Sequence, residues 1–183
     1  MDDALRLLLK DLWSDDRQRQ NEAFGRMLAL TEKPVGWAYE VWDEMLANLG
    51  HKDNHNRAIA AQLLCNLAKS DPQGRMLKDL PALLAVTKDE RFVTARHTMQ
   101  ALWKVGAAGA SQRELLLDGL AQRFKECAAE KNCTLIRYDI SEALHNVYDA
   151  TGDEQVKQRS LELIETEGEL KYRKKYTSVW RAK

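Results

Sequence analysis

The side chains best suited to metal or nucleophile chemistry in this 183-residue chain are three cysteines and four histidines, and their spacing offers little. His51 and His55 flank Asp53 at a spacing that binds zinc on one continuous helix, but Gly50-His51-Lys52 reads as a helix-ending turn that spoils it. Cys127 and Cys133 lack the close spacing of zinc ligands and have no histidine beside them. His97 and His145 have no serine or cysteine partner that sequence can place, and no nucleophile elbow, phosphate loop or dinucleotide fingerprint occurs. The expectation is no metal, no cofactor and no catalytic residue, although a site assembled across distant segments leaves no local signature.

Cations and aromatics are patterned more tightly. Arg17, Arg57, Arg96 and Arg137 recur at intervals of 40, 39 and 41 residues, each at the head of an apolar helical stretch. The register holds further on: Ala23, Leu63, Leu102 and Ala143 lie six residues after each arginine, and Phe24, Leu64, Trp103 and Leu144 lie seven after. The second stretch, DNHNRAIAAQLLCNLAK from Asp53 to Lys69, is apolar over more than half its circumference, so it has to be sandwiched between neighbours.

Helix signals fill the rest of the chain. Asp3 opens a first segment, Ser14-Asp15-Asp16 starts a second, and Pro34 sits at the head of a helix over residues 34–49. Residues 74–88 form a short helix that Pro81 kinks or starts, and 91–108 form the next long one, stopped by Gly106 and Gly109. Ser111 with Glu114 gives a capping box for 111–131, residues 135–150 follow, and Asp153 caps a long final helix to about Tyr176. No alternating run bounded by turn residues occurs, so no sheet is expected.

A two-helix unit repeating at about 40 residues, opened by Asp16-Arg17, Asp53 with Asn56-Arg57, Asp89 with Ala95-Arg96 and Ile136-Arg137, resembles the HEAT-repeat family of armadillo-like α-solenoids. The resemblance covers residues 1–170 and departs in the fourth unit, where Lys131-Asn132 replaces an acidic turn. It implies an all-α, right-handed superhelix of about four helix pairs plus a terminal helix, with 171–183 a basic, aromatic segment continuing the last helix. Repeat stacks of this kind present extended concave surfaces to proteins or peptides.

Helical angles then sort surfaces. Ala61, Leu64 and Ala68 share the Arg57 column, so the arginine series is expected to face neighbouring repeats and bond turn carbonyls or acids, rather than to form a phosphate ladder. The opposite column, a candidate partner-binding face, holds Gln62, Asn66 and Lys69, then Ala101 and Val105, then Glu142 and Asn146. It lacks the basic stripe that tracks a phosphate backbone, which weighs against the helical-repeat alkylpurine DNA glycosylases. Trp37 is read either as an exposed anchor for a partner or as packing between outer helices.

Charge is uneven along the chain. Lys171, Arg173, Lys174, Lys175, Arg181 and Lys183 form an acid-free tail, which leaves the rest of a formally neutral chain at −6. Tyr172, Tyr176 and Trp180 alternate with these cations at four-residue steps. The tail either caps the stack, with its aromatics buried, or binds an acidic partner, a nucleic acid or a membrane surface. MDDALRLLLKDLW has acids where a secretion signal needs bases, no stretch reaches a membrane span, and the cysteine number is odd. The expectation is a chain of the reducing cytoplasm, in which the Asn132-Cys133-Thr134 sequon is a chance match.

Overall fold

The structure, a computed structural model, describes residues 2–181. It is all-α, with no strand among the described residues. Acidic caps place several helix starts. Asp2 accepts the Leu5 N–H at 2.8 Å and opens α1 (Asp3–Leu12), and Asp16 accepts from Gln18 and Arg19 at the head of α2 (Arg17–Leu30). Asp53 does the same for α4 (Asn54–Leu67), and Asp153 for α10 (Glu154–Glu165). Between them run α3 (Ala38–Asn48), α5 (Arg75–Val86, with Pro81 inside it), α6 (Phe92–Ala101), α7 (Trp103–Ala108), α8 (Ala110–Glu126) and α9 (Cys133–Thr151). Gly152, at φ 67°, ends α9 in the left-handed conformation that glycine adopts without strain. The last helix is α11 (Leu170–Thr177).

Consecutive helices pack as hairpins, α1 on α2, α3 on α4, α7 on α8 and α9 on α10. The helices that begin at or just before the repeating arginines also touch in succession, α2 on α4, α4 on α6 and α6 on α9, while α5, α8 and α10 form a second run. One continuous core joins both, and Trp42, Phe124 and Tyr176 are among its largest fully buried side chains.

Four elements depart from expectation, each for a local reason. The 34–37 segment is not helical, because the Val35 N–H donates to Ser70 Oγ at 2.9 Å and ties it to the turn that follows α4, so α3 begins after Trp37. The expected 91–108 helix breaks at Leu102. Thr98 Oγ1 donates back to the Thr94 carbonyl at 2.9 Å, a bond that bends helices, and α7 is drawn against α8 and α9. The Ser111 capping box does not form: Gly109 opens α8 in extended conformation, and Glu114 is bonded by Arg159 at 2.9 Å instead.

The fourth departure corrects the tail, which does not continue the last helix. The chain turns over residues 166–169, where the buried Glu167 carboxylate accepts the Glu169 N–H at 3.0 Å and Arg137 Nη1 at 2.7 Å. Arg173 then donates to the Glu167 carbonyl from the first turns of α11. Tyr176 is 0% exposed and packs edge-on to Phe124 at 6.0 Å, so α11 belongs to the same core as residues 2–170. Ala182 and Lys183 lie outside the described residues.

Two glycines in helix interiors have opposite roles. A Cβ at Gly106 would stand 2.9 Å from Val147 Cγ2 and 3.0 Å from Leu116 Cδ2, whereas one at Gly25 meets nothing within 4 Å. Overpacking a core costs about 1–3 kcal/mol, against a helix-propensity gain of about 1 kcal/mol. Gly106→Ala is therefore expected to lower the urea midpoint and Gly25→Ala to raise it, and a rise in both would refute the tight α7 contact.

Candidate partner-binding face

The four arginines that head α2, α4, α6 and α9 each reach forward to a carboxylate of a later segment. Arg17 bonds Asp53, the cap of α4. Arg57 holds Asp89 through Nε at 2.6 Å and Nη2 at 2.8 Å, and gives Nη1 to the His51 and Lys52 carbonyls at 2.9 and 3.1 Å. Arg96 is bidentate to the fully buried Asp139 of α9, at 2.7 and 2.9 Å. Arg137 joins the Phe124 carbonyl at 3.0 Å to Glu167, and its guanidinium lies 4.7 Å above the Phe124 ring. These cations are matched inside the protein.

Their partners titrate accordingly. Burial alone would raise Asp53, but hydrogen bonds from Arg17 and from the His55 N–H and ring hold its carboxyl down at about 2. Asp89 is likewise held below the usual carboxylate range, with burial opposed by Arg57 and the Arg91 N–H. Glu167 is lowered against its burial by the Glu169 N–H and Arg137.

The candidate face divides. Glu142 of α9 is half-buried and Asn146 is exposed, and both line a cavity of about 570 Å³. Its floor is one stripe of α9, from Tyr138 through Glu142 and His145 to Asp149, with Gln100 of α6 beside it. Ser178, Val179 and Arg181 of the tail close the far side. Tyr138 hydrogen-bonds Glu142, and burial together with that bond pushes the phenol above its ordinary value. Asp149 pairs with His145 Nδ1 at 3.2 Å, whereas Glu142 has no cation within ion-pair distance among the described residues.

Gln62 and Lys69 are half-buried, turned to the Ala58 and Glu32 carbonyls at 3.0 and 2.9 Å. Three other residues are corrected. Asn66, Ala101 and Val105 are 3%, 6% and 0% exposed and offer a partner little surface, although Asn66 lies at the edge of a hollow of about 300 Å³ with Lys69, Trp103 and Lys104. A column counted from Arg96 continues only as long as its helix axis, and the break at Leu102 places Val105 on α7, which packs over α4 and against α8 and α9. Asn66 lies under that cover, donating to Thr31 Oγ1 at 3.0 Å and accepting from Lys104. Trp37 stands at the turn before α3 and lines a separate hollow of about 490 Å³ with Leu5, Leu8 and Leu30.

The tail is seated. The Trp180 ring lies 5.0 Å from His145 and 5.7 Å from Tyr148. Lys175 sits 4.9 Å over the Tyr138 ring, Lys171 5.6 Å over Tyr172, and Arg173 bonds Glu165 at 3.2 Å. Lys171, Lys174, Lys175 and Arg181 are nevertheless all exposed. Tyr138, His145 and Gln100 were missed in the sequence. The first two were legible as the i, i+4, i+7 stripe through Glu142, but Gln100 joins them only through packing of α6 on α9.

Two outcomes follow from this geometry. The lowered folded-state pKa values of Asp53, Asp89 and Glu167 mean that unfolding takes up protons at acid pH, so stability present above about pH 5 is lost as pH falls toward about 2. Arg57→Gln should cost about 3 kcal/mol at neutral pH, because it strands a buried carboxylate, and should flatten that acid dependence in urea titrations. Tyr176→Ala should cost about 3–5 kcal/mol, whereas a tail that only binds ligand would tolerate it.

No family model and no curated protein matches this chain, so function has to be argued from the face itself.

Proposed function

We propose that this chain is a non-catalytic interaction module, a right-handed superhelix of HEAT-like helix pairs closed by α11, which binds a peptide segment of another protein. The observation that carries this reading is the cavity of about 570 Å³ between α9 and the tail. Its polar groups stand on a helix packed on several sides and are therefore held ready for a ligand, which lowers the entropy that binding must overcome. Glu142, without an ion-pair partner among the described residues, beside Asn146 and Asp149, fits a lysine or arginine side chain of the incoming segment. A cytoplasmic location belongs to the same proposal and is supported by the odd number of cysteines, which does not suit a disulfide scaffold.

Nucleic-acid binding through the basic tail has less support. Arg173 is ion-paired, Lys171 and Lys175 lie over tyrosine rings, and the repeating arginines are matched to carboxylates. A polyanion groove needs several free cations in line.

Selection of short random peptides on the immobilised chain should enrich sequences carrying lysine or arginine. Glu142→Gln should weaken the selected peptides at least about tenfold with an unchanged melting temperature, a loss of about 1.4 kcal/mol. Enrichment without cationic side chains, an unaffected Glu142→Gln variant, or steeply salt-dependent capture of DNA or RNA instead would refute the reading.

A further inference from the structure

Beneath the tail, two thiols meet. Cys127 lies in the short turn that ends α8 and is 0% exposed, while Cys133 is the first residue of α9 and is half-buried. Their Sγ atoms are 3.0 Å apart, about 1 Å beyond a disulfide bond length. Small side-chain rotations of two residues joined by one short turn cover such a gap. The third cysteine, Cys65, is fully buried in α4.

We propose that Cys127 and Cys133 form a dithiol site that a low-molecular-weight disulfide oxidises to an intramolecular disulfide. Cys133, the more accessible thiol, loses its proton to solvent and attacks one sulfur of the small disulfide. The small S–S bond breaks, its leaving thiolate takes up a proton, and Cys133 carries the mixed disulfide. Cys127 then gives up its proton and attacks the Cys133 sulfur, expelling the second small thiolate, which is protonated in turn. Two protein thiols are oxidised, two electrons and two protons pass to the small disulfide, and two small thiols leave.

The surroundings set this order. Burial first, and the hydrogen bond with Cys133 second, push the Cys127 thiol up to about 12, and its 0% exposure leaves the first attack to Cys133. The Arg137 and Arg123 guanidinium groups oppose that rise and favour the thiolate at the moment of attack. The site lies in the corner that supports α11. Phe124, one turn before Cys127, carries the Tyr176 ring, and Arg137, one turn after Cys133, ties the Phe124 carbonyl to Glu167. A bond between the sulfurs therefore pins the floor on which the tail rests. This inference does not depend on the peptide-binding reading.

The test uses the reduced full chain incubated with oxidised glutathione under native conditions, followed by intact mass and peptide mapping. The expected product is lighter by two hydrogens, linked between Cys127 and Cys133, unmodified at Cys65, and restored by a thiol reductant. Cys127→Ala should halt with a glutathionyl adduct on Cys133, and Cys133→Ala should react at least about tenfold more slowly than the parent. Both variants are checked for native circular dichroism. The proposal fails if the parent chain keeps the adduct without closing, links to a second chain, or reacts only when unfolded in urea. It fails equally if Cys133→Ala reacts as fast as the parent.

Discussion

A guanidinium that reaches from the head of one helix to a carboxylate of the next segment is the constraint on which this architecture depends. Apolar burial supplies most of the driving force, but it is non-directional, and leucine-rich helices can slide past one another at little cost. A bidentate bond such as Arg57 to Asp89, or Arg96 to Asp139, fixes both distance and angle. Net stabilisation by buried ion pairs is small, because desolvation offsets attraction, whereas stranding one partner is expensive. The four pairs therefore act chiefly on register, penalising any packing that separates them.

The same economy governs the surface. Each of the repeating arginines is bonded to carboxylate, and three of them also to a backbone carbonyl or a side-chain amide within reach, as Arg17 is to Gln20. Cations spent in this way cannot line a groove for a phosphate backbone. Charge in this chain is thus arranged by the needs of helix joints first, and a reading of function has to begin from what those joints leave over.

How much was legible follows from where the physics is local. Caps are local, and Asp16, Asp53 and Asp153 mark α2, α4 and α10 without reference to the rest of the chain. The 40-residue arginine spacing was visible because every unit meets the same geometric demand. Surface columns were not, since a column presumes a straight axis. The break at Leu102 puts Val105 on α7, which packs over α4 and Asn66, and Gly106 leaves α7 close to Val147 across the helices. The turn before α11 was hidden for a similar reason: Glu167 and Gly168 can continue a helix, and it is Arg137, 30 residues earlier, that draws the Glu167 carboxylate into the corner. The meeting of Cys127 and Cys133 depends on how α8 ends and α9 begins, which a spacing of two letters does not reveal.

The tail shows how composition can mislead about function. Its cations look like a ligand-binding signal until its aromatics are placed. Tyr176 must be buried to cover the apolar end of α8 and α9, and a helix with one face so committed keeps its ammonium groups on the other, since burying them unpaired is costly. Lys174 and Lys175 fall in the last turn of α11, where the helix dipole favours positive charge. Lys174 and Lys175 therefore suit their place in the folded chain. Glu142 differs: it stands half-buried on α9, beside a cavity, bonded by a phenol and feeling the Arg96 charge, but with no ion pair among the described residues. A carboxylate without an ion pair among the described residues, held where a ligand could reach it, is a stronger guide to partner chemistry than a charge run whose aromatic neighbours are buried.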